Sequence, residues 1–298
     1  MPIAKQDCLR IEGCSLVYPN GVCALDGISL SFELGRFIVL LGPSGAGKSS
    51  LLRCLNGLTR PSRGAVIGSD NQSIFASRAA LRRHRRQTAM IFQQHHLIAR
   101  HTALKNVLLG RLGFHTSLRS LLPPGRAERR LALEVLDRVE LLDRALSRAD
   151  ELSGGQQQRV GIARALIQAP NTILADEPVA SLDPATASRV LELIHRICRQ
   201  DGITAIVSLH QYELARRFAD RVIALSTGRV VFDGSISELD RSALQRIYTT
   251  DSPDLLSPRS KTVPPQVEKE HRHETPPSSV SSGRSNVRHH RHRRSGAG

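Results

Sequence analysis

Hydrophobic residues change their rhythm twice along this chain. Between residues 8 and 34 they alternate with polar ones: Leu9 and Ile11 before a turn at Tyr18-Pro19-Asn20-Gly21, then Ile28, Leu30 and Phe32. That alternation predicts short β segments. The run Phe37-Ile38-Val39-Leu40-Leu41 is short, continuous and apolar, as a strand buried on both faces should be. A helix is expected from Lys48 to about Asn56, with Gly57 as its stop. From about residue 95 to 168 the pattern turns helical. Residues 127–141 are rich in Leu, Arg and Glu, and residues 155–168 place Val160, Ala163, Leu166 and Ile167 on one face. Strand and helix then alternate: strand 172–175, helix 183–200 with Val190, Leu191, Ile194 and Ile197 as its stripe, strand 204–209 and strand 222–225. Strands separated by helices imply a largely parallel sheet. The expected fold is α/β, with a β start and an inserted helical subdomain at about 95–168.

Composition narrows this picture. With 298 residues and 40% hydrophobic content the chain can bury a substantial core. No stretch approaches the roughly 20 apolar residues that span a bilayer, and MPIAKQDCLR lacks the apolar run of a secretory signal, so a cytoplasmic place is expected. Five cysteines show no metal or redox spacing and are expected as reduced structural thiols. The net charge of +15 raises nucleic acid or an anionic surface as a partner. Residues 255–298 alone hold nine Lys/Arg and three Asp/Glu, +6, in a Pro-, Ser-, His- and Arg-rich tail that the sequence predicts to be disordered. Aromatics are only 3% and form no stacking platform, which argues against nucleic acid. The basic run Arg82-Arg83-His84-Arg85-Arg86 is expected as solvated helix surface, with docking as a lesser reading.

Three segments carry chemistry. Gly42-Pro43-Ser44-Gly45-Ala46-Gly47-Lys48-Ser49 matches GxxxxGK[ST] and lies between a buried strand and a helix start, where a phosphate-binding loop must lie. Its glycines let backbone amides curl round a phosphate, Lys48 reaches the β- and γ-phosphates, and the Ser49 hydroxyl suits Mg2+. Thr172-Ile173-Leu174-Ala175-Asp176-Glu177 is an apolar strand ending in two carboxylates: Asp176 suits the metal and Glu177 a general base for an attacking water. Leu152-Ser153-Gly154-Gly155-Gln156 opens an amphipathic helix, so its amides and hydroxyl suit a second anion.

Together these residues resemble the nucleotide-binding subunit of ABC transporters, over about residues 8–250. The resemblance implies a P-loop NTPase of ABC type, a mostly parallel core sheet with an N-terminal antiparallel β subdomain and an inserted helical subdomain, and a nucleotide-binding domain over residues 1–254. It implies that Tyr18 stacks on adenine and that residues 42–49, with Ser50, hold ATP. Gln93 would serve as the loop glutamine toward the nucleotide and Mg2+, and Asp183 of Ser181-Leu182-Asp183 would border the site. His210 would be the switch histidine. In that family two subunits pack head to tail, so that residues 42–49 of one and Ser153, Gly154, Gly155 and Gln156 of the other clamp one ATP. Implied partners are thus a second copy, transmembrane permease subunits at the inner membrane and, indirectly, a periplasmic substrate-binding protein. Within the family the likeness runs furthest to the ATPases of bacterial phosphonate importers. It is carried by Val107-Leu108-Leu109-Gly110-Arg111-Leu112-Gly113, Ser117-Leu118-Arg119-Ser120-Leu121-Leu122, ILADEPVASLDP at 173–184 and Gly228-Arg229-Val230-Val231-Phe232-Asp233-Gly234. Amino-acid and methionine importers share several of these, and a soluble ABC protein acting on nucleic acid stands as a second alternative. His95-His96 and Lys105 depart from the phosphonate pattern.

Overall fold

The computed structural model describes residues 7–116, 122–239 and 247–248. The tail from residue 255, expected to be disordered, and most of the 117–122 segment lie outside them.

Strands β1 (Asp7–Val17), β2 (Cys23–Glu33) and β4 (Arg63–Gly68) form an antiparallel sheet in the order β2-β1-β4. The apolar alternation sets its register: Leu9 faces Phe32, Ile11 faces Leu30 and Cys14 faces Ile28. The step from Ile11 to Cys14 breaks period two because a bulge intervenes there, with Gly13 at φ +55°. The second sheet has six strands in the order β5-β6-β7-β3-β8-β9. They are β5 (Thr88–Ile91), β6 (Thr172–Ala175), β7 (Thr204–Ser208), β3 (Phe37–Leu41), β8 (Arg221–Ser226) and β9 (Arg229–Gly234). All neighbours pair in parallel except β8 and β9, which form a hairpin.

β3 is buried along its whole length and serves two cores by simple alternation. Phe37, Val39 and Leu41 enter one; Ile38 and Leu40 enter the other. The second core is closed by the three-stranded sheet and by α1 (Lys48–Leu55), through Leu51, Leu52, Cys54 and Leu55. The first is closed by α6 (Pro184–Asp201) and by helices inserted between β5 and β6: α3 (Ala103–Leu108), α4 (Arg126–Arg138) and α5 (Gly154–Leu166). Val160, Ala163, Leu166 and Ile167 are buried there, as their spacing predicts. α4 ends three residues before the expected 141, because Glu140 turns left-handed at φ +59° and the Leu141 amide folds back to the Leu136 carbonyl.

α2 (Arg78–Gln87) carries the basic run and leaves Arg82, Arg83 and Arg85 exposed, as expected of solvated surface. Two of its residues also do more. His84 is buried with Nε2 2.7 Å from the Leu55 carbonyl, and Arg85 donates to the Gly57 carbonyl at 2.5 Å. Gly57 does stop α1, in a left-handed conformation at φ +73°, and the last carbonyl of that helix, Leu55, takes its donor from α2. Among the cysteines, Cys8, Cys14, Cys54 and Cys198 are buried free thiols and Cys23 is an exposed one. Burial pushes the Cys54 and Cys198 thiols up to about 12. Among the described residues no helix is long and apolar enough to cross a membrane.

Candidate active site

The carboxyl ends of β3, β6 and β7 meet at one edge of the six-stranded sheet, where open α/β sheets place their ligands. From β3 the chain enters the glycine loop. Gly42 sits at φ +144° and a Cβ there would lie 2.2 Å from the Leu225 carbonyl; Gly47 sits at φ +103° and a Cβ there would lie 2.5 Å from the Ala24 carbonyl. Both positions therefore admit only glycine. Gly47 is the N-cap of α1 and supplies no side-chain bond, so the first-turn amides keep their hydrogens for a ligand. Lys48 is only 4% exposed and donates to the carbonyls of Gly42 at 2.8 Å and Pro43 at 2.9 Å. Its third proton remains for an anion. Burial holds the Lys48 ammonium below its ordinary pKa, against the opposing charges of Glu177 and Asp176. A desolvated cation beside open amides forms a site for phosphate.

The opposite wall is acidic and is joined through one hydroxyl. Asp176 follows β6 and accepts at Oδ1 from Ser49 at 2.8 Å and from Ser208 at 3.0 Å. Ser208, the last residue of β7 and fully buried, also accepts the backbone N–H of Glu177 at 2.8 Å. Glu177 is held in the left-handed region at φ +47°, a costly conformation for a non-glycine residue. Its carboxylate meets His210 Nε2 directly. Ser49 and Asp176 make a small all-oxygen donor set. No cluster of three or more His, Cys, Asp or Glu suited to a metal exists among the described residues. A hard cation that arrives with phosphate oxygens fits this set; one needing an all-protein cage does not.

The remaining predicted residues divide into those beside this loop and those apart from it. Tyr18 lies just past β1, its hydroxyl 3.1 Å from Ser50 Oγ on the first turn of α1. Gln93 stands two residues beyond β5, exposed, while the Ile91 carbonyl accepts the Asp176 amide at 2.9 Å. Residues 152–156 make no hydrogen bond to residues 42–49 among the described residues. Ser153 instead caps α5 in a reciprocal box: its N–H donates to Gln156 Oε1 at 2.9 Å, and its hydroxyl accepts from the Gln156 amide at 3.4 Å. The Gln156 side chain is thus turned back on its own helix. Asp183 caps α6 by accepting from Ala185 and Thr186 amides, and these two helix starts pack together, since a Cβ on Gly155 would lie 2.7 Å from Thr186 Cγ2. Two residues escape sequence reasoning. Ser208 ends an apolar strand where serine carries no motif of its own, and Tyr248 places its hydroxyl 3.4 Å from the His210 carbonyl, from a segment without a local signal.

A phosphate-binding loop after a central strand, carboxylates at the end of β6 and a histidine beyond β7 define a P-loop nucleotide-hydrolase site. A profile of the ABC transporter family matches residues 25–180. The chain belongs to the ABC transporter family, as one of its ATP-binding cassettes. It is 61% identical over 240 residues to the phosphite import ATP-binding protein PxtA of Stutzerimonas stutzeri, covering 80% of this chain and 86% of that one. It is 55% identical over 240 residues to the phosphonates import ATP-binding protein PhnC 3 of a Nostoc strain, covering 80% and 91% respectively. Among solved structures it is similar to a dimeric, post-hydrolysis ATP-binding cassette, MJ0796, bound to ADP and Pi. There the TM-score is 0.68 and the identity 35%, over 76% of this chain and 98% of that one.

Proposed function

We propose that this chain is the ATP-hydrolysing motor of a bacterial importer for phosphonates, working on the cytoplasmic face of the inner membrane against permease subunits fed by a periplasmic binding protein. The unit that does so spans residues 1–254. The observation that carries the chemistry is the chain of contacts Ser49–Asp176–Ser208–Glu177–His210, which joins the end of the glycine loop to a carboxylate and an imidazole in mutual contact. In this reading Lys48, the loop amides and Ser50 bind the ATP phosphates, and Tyr18 stacks on adenine. Ser49 and Asp176, with Gln93 reaching in, hold Mg2+, which when bound neutralises phosphate charge. Glu177 takes a proton from the attacking water, and His210 keeps that carboxylate aimed at the γ-phosphate. Ser153, Gly154 and Gly155 close over the same phosphate from a second copy, beside its Asp183, with Gln156 holding the cap that presents them. Closure needs two sites because neither edge of one chain encloses the phosphate, and charge shared between two movable anion sites gives the closed state its extra affinity for ATP.

The relatives' names supply the cargo class, since nothing in this chain would touch cargo. Relatives named for phosphonates and for phosphite make phosphite the second reading. Deletion of the coding region, followed by growth on phosphonate, phosphite or phosphate as sole phosphorus source, separates them in a strain with no second uptake route. Loss of growth on phosphonate alone is expected; loss on phosphite alone moves the cargo to the second reading, and growth on all three refutes both.

A further inference from the structure

The helix that opens with Ser153 also holds the loop carrying Gln93. At its far end Arg164 NH1 donates to the His96 carbonyl and NH2 to the His95 carbonyl, each at 2.7 Å. These carbonyls stand two and three residues past Gln93. Gln93 is exposed and makes no hydrogen bond among the described residues, so its reach is set by whatever anchors its neighbours. The anchor itself is firm. A Cβ on Gly110 would lie 2.3 Å from the Arg164 carbonyl and 2.6 Å from Ile167 Cγ2, so the backbone of this turn is pressed against the segment after α3. The guanidinium is half-buried and has no carboxylate partner among the described residues; burial lowers its pKa, though an arginine keeps its charge.

The same helix meets the loop again six residues earlier, at Gln158. Gln158, 1% exposed, turns its side-chain amide to the His95 ring. His96 adopts a left-handed φ of +46° and sets its ring edge-on to Phe92 at 5.2 Å. This bend brings two successive carbonyls round to one guanidinium fork, a geometry that a lysine's single point charge does not match. Arg164 therefore commits a half-buried, fixed cation to the backbone of one loop.

We infer that Arg164 is a positioning residue for ATP hydrolysis: by clamping the His95 and His96 carbonyls to α5, it sets the reach of Gln93 toward Ser49 and Asp176. The inference rests on the motor function proposed above, and it makes the place of Gln93 depend on the helix whose first turn would close on a second copy. The test is a double-mutant cycle on the full chain, comparing Arg164→Lys, Gln93→Ala and the combination by steady-state ATP turnover. Arg164→Lys is expected to lower kcat about tenfold while KM for ATP stays within about twofold and the thermal midpoint holds. In the Gln93→Ala background the same change is expected to cost less than about twofold, because the residue it positions is gone. Losses that multiply in the double variant, or a wild-type kcat in Arg164→Lys, overturn the inference while leaving the motor reading intact. A wild-type chain that does not turn over ATP removes both. Should the lysine variant fail to fold, Arg164→Gln runs the same cycle; if neither folds, Arg164 holds the fold rather than the loop and the inference fails.

Discussion

Ser208→Ala removes one oxygen atom and should disable the site without touching the glycine loop. The hydroxyl is fully buried, donates to Asp176 at 3.0 Å and accepts the Glu177 amide at 2.8 Å. Deleting it leaves that amide buried without an acceptor, which costs about 1–3 kcal/mol of stability. Asp176 keeps its bond from Ser49, so the metal side of the site should survive. Glu177 fares worse. Its left-handed backbone is a strained state worth about 1–3 kcal/mol, and the hydroxyl is one of the contacts that hold it. Released, the residue relaxes and its carboxylate leaves His210. A barrier increase of about 1.4–2.7 kcal/mol corresponds to a tenfold to hundredfold fall in kcat. KM for ATP should stay within about threefold, because Lys48 and the loop amides are untouched. Steady-state hydrolysis and urea unfolding of the full chain measure both halves. If the unfolding midpoint drops as expected while kcat stays within about twofold of wild type, Ser208 is a packing residue and the relay assigned to it is wrong.

Glu177→Gln preserves shape but removes the base, so turnover should fall by more than about a hundredfold and an ATP-bound dimer should accumulate in size-exclusion chromatography; unchanged turnover would take Glu177 out of that role. Gly155→Val sets a branched side chain where even a Cβ would lie 2.7 Å from Thr186 Cγ2, pushing the start of α5 off α6. Monomeric ATP binding, read by a fluorescent analogue, should persist while hydrolysis is lost, and retained hydrolysis would count against the composite site. His84 is buried, which lowers its pKa below the ordinary 6.5, with the Leu55 carbonyl and Asp70 opposing and Arg85 adding to the shift. The unfolded chain then binds the proton more readily, so the His84 share of stability is complete above about pH 6.5 and lost as pH falls through the folded pKa. His84→Gln, which keeps a donor for the Leu55 carbonyl, should flatten the fall in unfolding midpoint between about pH 7.5 and 5.5; an unchanged slope would assign acid lability to the half-buried His95 and His195, whose pKa desolvation also lowers.

Much of this architecture is legible in the residues because it rests on local rules. Thr172–Ala175 is a four-residue apolar run that can be satisfied only inside a sheet, and Gly57 ends α1 in the conformation that glycine takes most readily. β4, β5 and β9 were not legible. Thr88–Ile91 is four residues long with no flanking turn signal, and Arg229–Gly234 alternates at half-burial on an edge strand. The place of β5 is decided by a partner far along the chain, Thr172 for Thr88, and that of β9 by the hairpin that turns at Thr227-Gly228 and sets Gly234 beside Val222. The site shows the same division. Asp176 and Glu177 announce themselves by chemistry at the end of an apolar run and His210 through the family resemblance, whereas Ser208 acquires its role only because β7 is threaded between β6 and β3. In the run from Arg82 to Arg86 charge correctly predicts solvent for Arg82, Arg83 and Arg85, whereas His84 is buried because the Leu55 carbonyl at the end of α1 takes its donor there.

The two helix starts that would clamp one ATP are built differently, and the difference has consequences for the proposed cycle. α1 begins without any side-chain cap and with a buried ammonium beside its free amides, so this end is poised for an anion. α5 begins with Ser153 and Gln156 capping each other in the open, which satisfies the Gln156 amide and leaves those of Gly154 and Gly155 to water, so this end loses less when no phosphate is near. ATP should therefore bind first at residues 42–49 of either copy. The self-capped end of the other copy then adds the smaller, reversible part of the grip, because it trades water and not an exposed orphan group for the γ-phosphate. Such an asymmetry lets loss of the γ-phosphate release the second copy while the first still holds the product, which is what reopening a dimer after hydrolysis requires. A clamp with two ends like that of α1 would hold both copies on the product and stall.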